Sequence, residues 1–366
     1  MAINLPTPGL SPSTSVGPSP AFEIIQSPDD TDVEGFDFDL GPAAKEEKDH
    51  IPECWGHRGV SGAAENTRAS FIEACKAGAD GIETDIHITS DNELVMFHDP
   101  NLSRTTDGQG RIDSQPWHGV LEHVRTKQSP HQPIPRFTEV LDILMDHPGV
   151  KLNLDCKIEN EPYKLFGLVK TVIESYPDWA TKLAPRIILG LWHPKYIGPA
   201  SQLLPYLPRY CISMSIPQVR QYFFQHCHGF SVYFEALASA DGAAFRAECK
   251  AAGKWICSWT VNDKEEMREC VRWGIKSIIS DKPALWREVK AEILADRAKA
   301  LKPSLTTYVL PWSSKKKYWF DYEQKAREEF EYLEKEGGRF DDVIVPELSL
   351  RIAKPGDVMS GQGVLA

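Results

Sequence analysis

Between Trp55 and Gly108 the chain brings His57, Arg58, Glu65, Asn66, Glu83, Asp85 and His98 into about fifty positions. Two imidazoles can exchange protons near neutral pH. Acids two residues apart on a strand share one face and can hold a hard cation, and a planar guanidinium grips phosphate. This is equipment for cutting a phosphodiester. Farther on, Asp155 and Lys157 repeat the two-residue spacing, so a third carboxylate and an ammonium share another strand face. There the ammonium can neutralise charge developing on phosphoryl oxygens.

The elements that must hold these residues follow from hydrophobic pattern. Nine runs read as strands: ECWGHRG, GIETDIHI, ELVMFHD, KLNLDCKI, RIILGLW, RYCISMS, GFSVYFEA, KWICSWTV and IKSIISD. Helical spacing in TRASFIEACKAG, PYKLFGLVKTVIESY, DGAAFRAECKAAG and KEEMRECVRWG alternates with them, the pattern of a parallel sheet with crossover helices. Only a short turn separates GIETDIHI from ELVMFHD, too little for a parallel crossover, so those two form a hairpin. Eight strands then remain for a (β/α)8 barrel. A turn centred on Ser90 and Asp91 sets Glu83 opposite His98 and Asp85 opposite Met96. His57 and Arg58 end the first strand, at the rim where barrel active sites lie.

Of the 366 residues, 41 are Lys or Arg and 52 are Asp or Glu, and residues 1–50 hold ten of the acids against Lys45 and Lys48. The remainder is nearly neutral, which argues against a nucleic-acid footprint. Residues 1–50, rich in Pro and Ser and then acidic, read as a disordered tail, residues 51–300 as the barrel domain, and residues 301–366 as a C-terminal appendage. The eight cysteines lack the spacing of a zinc ribbon or a disulfide framework and read as reduced, buried thiols. No basic and apolar leader opens the chain, and no run is long enough to span a bilayer. The expectation is an intracellular protein, cytoplasmic or peripheral on an organelle membrane and not secreted.

In the order GHRG, AENT, ETD, HD with RTTDG, DCK and SWTVND, the chain resembles the glycerophosphodiester phosphodiesterases over about residues 53–290. It departs from them at Ala64, where Pro is usual, and at Asp155, where many members have Glu. HPGVKLNLDCKIEN, RIILGLW and GFSVYF look most like the fungal phosphatidylglycerol-specific phospholipases C. The resemblance implies a TIM barrel of the phospholipase-C-like phosphodiesterase type. It also implies catalytic His57, His98, Arg58 and Lys157, a metal held by Glu83, Asp85 and Asp155, and substrate contacts from Arg58, Glu65, Asn66, Lys157 and Trp259. All-oxygen ligands suit Mg2+ or Ca2+ alike. Glu65 and Asn66 also precede a helix and could cap it, and Trp259 could be core. His87 reads as a solvated or structural histidine, and Asp99 as a turn residue that positions His98.

The implied reaction is attack by the glycerol 2-hydroxyl on phosphorus, with the histidines exchanging protons and a cyclic phosphate opened by water. Phosphatidylglycerol would give diacylglycerol and glycerol phosphate, whereas the alternative is a soluble deacylated diester. A catalytically silent lipid-binding barrel is the third reading. The lipid is favoured by Trp312, Tyr318, Trp319 and Phe320 around Lys315, Lys316 and Lys317, a composition suited to an anionic membrane surface.

Overall fold

The computed structural model describes residues 50–303 and 320–355. Each expected strand forms. β1 (Glu53–His57) lies between β2 (Gly81–Ile88) and β9 (Ser277–Ser280), and the circuit is completed by β4 (Lys151–Cys156), β5 (Ile187–Leu191), β6 (Arg209–Ser213), β7 (Gly229–Tyr233) and β8 (Trp255–Trp259). The eight pairings among these strands are all parallel and close the sheet on itself. Period-2 alternation explains why β2 is buried along its whole length. Ile82, Ile86 and Ile88 join the core under the outer helices, while Glu83, Asp85 and His87 take the other face.

The four expected helices appear as Arg68–Lys76, Pro162–Glu174, Ala240–Ala251 and Lys264–Trp273. Thr67 opens the first of them, its hydroxyl accepting from Ser70 N at 3.2 Å. Helices Phe137–Asp146, Ile197–Leu203 and Pro283–Ala295 complete the ring. All eight cysteines are free thiols, seven of them buried. No helix among the described residues is long and apolar enough to cross a membrane.

The hairpin forms with β3 (Leu94–Met96), but one residue away from the expected register. Met96 pairs with Ile86 and not with Asp85, and Val95 pairs with His87. The turn holds three residues: Thr89 N donates to Glu93 O at 2.9 Å, and Asn92 takes the left-handed conformation (φ +70°) that closes such loops. Pairing ends where Phe97 N donates to Asp85 O at 2.9 Å. His98 is therefore not a ladder partner of Glu83; it enters the mouth at the start of the excursion over residues 97–136. That excursion has its own small core around Phe97, Leu102, Ile112, Trp117 and Leu121.

The described part of the appendage packs on the barrel. Helix Phe320–Gly337 lies at the mouth of the barrel, and Phe340 just beyond it inserts its ring 4.2 Å from His193, 5.0 Å from Phe330 and 5.2 Å from Tyr222. His193 Nε2 and Gly338 O are 2.9 Å apart. Trp312, Lys315, Lys316, Lys317, Tyr318 and Trp319, and the side chain of Phe320, lie outside the described residues, as does the tail up to residue 49. Phe340 is 2 % exposed, and truncating such a ring costs about 3 kcal/mol or more. Phe340→Ala should lower the stability measured by urea denaturation by about that amount; an unchanged midpoint would mean that the segment contributes nothing to barrel stability.

Candidate active site

The first strand ends in a turn that aims three groups at one point. Arg58 (φ +51°) and Gly59 (φ +99°) are both left-handed, and a Cβ on residue 59 would fall 2.3 Å from Ser70 Oγ, so the turn against the helix requires glycine there. The bend leaves Arg58 N free to donate to Glu83 Oε2 at 2.9 Å. It also brings the Arg58 side chain 3.3 Å from Glu65 Oε1 and 3.6 Å from Asp85 Oδ2. Parallel register sets His57 beside Glu83 on β2, and Glu83 and Asp85 beside Asn153 and Asp155 on β4. His57, Arg58, Glu83, Asp85, His98, Asp155, Lys157 and Trp259 line one cavity of about 490 Å3 in the barrel mouth.

Each imidazole is held by a carboxylate. His57 Nδ1 lies 2.7 Å from Asp281 Oδ1, and Asp281 in turn accepts from Asn262 Nδ2 at 2.6 Å. His98 Nδ1 lies 2.7 Å from Asp99 Oδ1, and Arg104 ties Asp99 to Glu65. With Nδ1 bound to a carboxylate, Nε2 of each ring is free for proton transfer. Burial acts to lower the His57 pKa, but Asp281 and Glu83 outweigh it and raise the pKa above its ordinary value. Burial acts to raise Asp281, and the bond to His57 keeps it below the usual carboxylate range.

Glu83, Asp85 and Asp155 offer oxygens within 4.8 Å of one another, all buried. Lys157 Nζ bridges two of them, 2.7 Å from Asp85 Oδ1 and 2.9 Å from Asp155 Oδ2. Trp192 Nε1 donates to Asp155 Oδ1 at 2.7 Å. Burial and the neighbouring Asp85 push Glu83 up to about 8. Burial also pushes Asp155 up, whereas at Asp85 Lys157, His98 and Arg58 outweigh burial and hold the carboxyl well below its usual range. Three anions against two cations leave one negative charge unmatched. The side-chain amide of Asn153, on the same cavity wall, has no hydrogen-bond partner among the described residues. Three hard oxygens and an orphaned amide fit a divalent cation.

Of the other residues expected at the substrate, Asn66 and Glu65 lie off this cavity and Trp259 lies on it. Asn66 is 2 % exposed; its amide donates to Asp85 Oδ2 at 2.6 Å and accepts from Thr84 Oγ1 at 2.7 Å. It orients Asp85 and does not line the cavity, and the helix cap falls to Thr67. Glu65 faces Arg58 and Arg104 in an adjoining cleft. Trp259 stands on the cavity wall, edge to face with Trp192 at 5.7 Å, and its indole donates to Ser231 O at 3.0 Å. His87 is buried, with Nε2 3.3 Å from His98 O, so of the two positions expected of it, solvated or structural, it takes the structural one. Sequence reasoning missed Asp281, Asn262, Trp192 and the wall formed by Glu329, Tyr332 and Leu333. For Asp281 and Asn262 the available signal was position, since Asp281 directly follows β9 and Asn262 lies three residues past β8.

Comparison with known proteins agrees with this layout. The glycerophosphoryl diester phosphodiesterase family model matches residues 57–285. A glycerophosphodiester phosphodiesterase of Caldanaerobacter subterraneus is 26 % identical over 265 residues, covering 62 % of this chain and 93 % of that protein. Human glycerophosphodiester phosphodiesterase 1 is 31 % identical over 129 residues, 33 % of this chain and 38 % of that one. An Oleispira antarctica phosphodiesterase, solved with the product sn-glycerol-3-phosphate, superposes with a TM-score of 0.57 at 24 % identity, covering 65 % of this chain and 96 % of its own. The narrower likeness to fungal phosphatidylglycerol-specific phospholipases C finds no support in these comparisons. The family match spans more than half of the chain and begins at His57: this chain belongs to the glycerophosphoryl diester phosphodiesterase family, enzymes that hydrolyse phosphoric diesters.

Proposed function

We propose that the enzyme is a divalent-metal-dependent glycerophosphodiesterase acting on soluble deacylated diesters, which it splits into glycerol phosphate and an alcohol. The observation that carries this reading is the pair of imidazoles, each tied through Nδ1 to a carboxylate, on one cavity with three buried acids. The activity named for the Caldanaerobacter relative supports the soluble substrate. The segment that favoured phosphatidylglycerol and an anionic membrane surface lies outside the described residues, so the lipid reading has no structural support here. Free thiols throughout suit a reducing, intracellular compartment.

Arg58 grips the phosphate, and the glycerol 2-hydroxyl lies one carbon from the ester, so its attack on phosphorus is intramolecular and entropically favoured. His57, oriented by Asp281, takes the hydroxyl proton at Nε2. As the new P–O bond forms and the bond to the alcohol breaks, His98, oriented by Asp99, gives its Nε2 proton to the departing oxygen. Water then opens the cyclic phosphate with the two roles exchanged. Glu83, Asp85 and Asp155 would hold Mg2+ or Ca2+, which when bound neutralises charge on the phosphoryl oxygens. Lys157, already bonded to Asp85 and Asp155, keeps those carboxylates in place and adds positive charge beside the phosphate.

Release of glycerol phosphate from glycerophosphocholine and from phosphatidylglycerol in mixed micelles tests the substrate. The soluble diester should turn over faster; the reverse order would restore the lipid, and no release from either would overturn both. His57→Ala and His98→Ala should each lower kcat at least about 10²-fold while leaving the fold intact. A variant with near-full turnover removes that residue from the mechanism. Asp281→Asn should lower kcat/KM and shift its acid limb. Asp281 raises the His57 pKa, so losing the anion lowers it, and the neutral base persists to lower pH. A limb that stays put would dissociate Asp281 from the base.

A further inference from the structure

The family-matched segment ends at residue 285, but the cavity wall does not. Glu329, Tyr332 and Leu333 complete it from helix Phe320–Gly337, and their spacing places them on one helix face. That face is fixed on both sides. The Tyr332 hydroxyl bonds to the Glu159 carboxylate, Leu333 is 4 % exposed, and Phe340, just past the helix end, packs on His193 and Tyr222 of the barrel. Glu329 is thus carried into the mouth of the active site by packed neighbours, and its carboxylate has no hydrogen-bond partner among the described residues.

Burial pushes the Glu329 carboxyl up, while Lys157 acts in the opposite sense, so the two charges sense each other across the cavity. A hydroxyl suits such a position because it can donate to a carboxylate and accept from an ammonium, whose third N–H remains after Asp85 and Asp155 take two. A quaternary ammonium cannot accept and would face Lys157 and Arg58. The indoles of Trp192 and Trp259 on the same wall offer apolar surface for carbon. Building on the glycerophosphodiesterase reading, we infer that Glu329 is a specificity residue: its carboxylate accepts a hydrogen bond from the glycerol hydroxyl that does not attack phosphorus. A helix beyond the family-matched segment then selects glycerol over a shorter diol.

Two diesters with the same leaving alcohol isolate this contact: glycerophosphocholine and its 2-hydroxyethyl analogue, which keeps the attacking hydroxyl and lacks the third carbon with its hydroxyl. The full chain should prefer the glycerol ester in kcat/KM by about tenfold or more, as loss of a charged hydrogen bond implies. Glu329→Gln should bring the ratio to within about twofold, and Glu329→Asp should give an intermediate value. Melting temperatures of both variants establish that they are folded. An unchanged ratio, or equal losses on the two esters, overturns the role of Glu329 while leaving the phosphodiesterase reading intact. Failure of the unaltered enzyme to cleave either ester overturns the reading itself and this inference with it.

Discussion

A carboxylate moved from water into the mouth of a barrel must be neutralised or protonated, and this protein places three of them there within 4.8 Å of one another. The surrounding groups answer that demand. Lys157 bridges Asp85 and Asp155, the Arg58 amide donates to Glu83, Asn66 donates to Asp85, and Trp192 donates to Asp155. Two cations still leave one negative charge, and burial together with the neighbouring Asp85 pushes the Glu83 carboxyl up to about 8. A divalent cation held by the three acids removes that deficit among them.

Strand parity was enough to find the acid cluster from the sequence. Glu83 and Asp85 on β2, and Asp155 and Lys157 on β4, sit at two-residue spacing, and parallel register brings the two faces together. The hairpin was predictable, its register less so. A two-residue turn and a three-residue turn differ by one position, and only the left-handed Asn92 signals the longer loop. That slip removes the cross-strand pairing of Glu83 with His98, yet His98 reaches the same cavity because the chain continues past Met96 into the mouth.

The two imidazole partners illustrate the limit of local reading. Asp99 is adjacent to His98, and its positioning role could be read from the turn. Asp281 is 224 residues from His57, and only closure of the barrel between β1 and β9 brings them together. Asn66 looked like a helix cap or a substrate ligand because both roles draw on the same amide. Its left-handed backbone (φ +52°) leaves the cap to Thr67 and directs the amide to Asp85. The helix over residues 137–146 shows apolar spacing at Phe137, Val140, Leu141 and Leu144 and was open to the same reading as its neighbours. The wall from Glu329 to Leu333 was not, since a charged amphipathic helix gives no sign of which surface it covers.

The central claim is that this mouth cleaves glycerophosphodiesters through internal attack at a metal-loaded acid cluster. Its most direct test is 31P NMR of glycerophosphocholine incubated with the purified chain, first stripped of metal and then with Mg2+ or Ca2+ restored. The diester signal should persist without metal, and on restoration it should pass through a five-membered cyclic phosphate to glycerol phosphate. Full-rate conversion in the stripped protein, or a diester signal that never changes with metal present, would contradict the account.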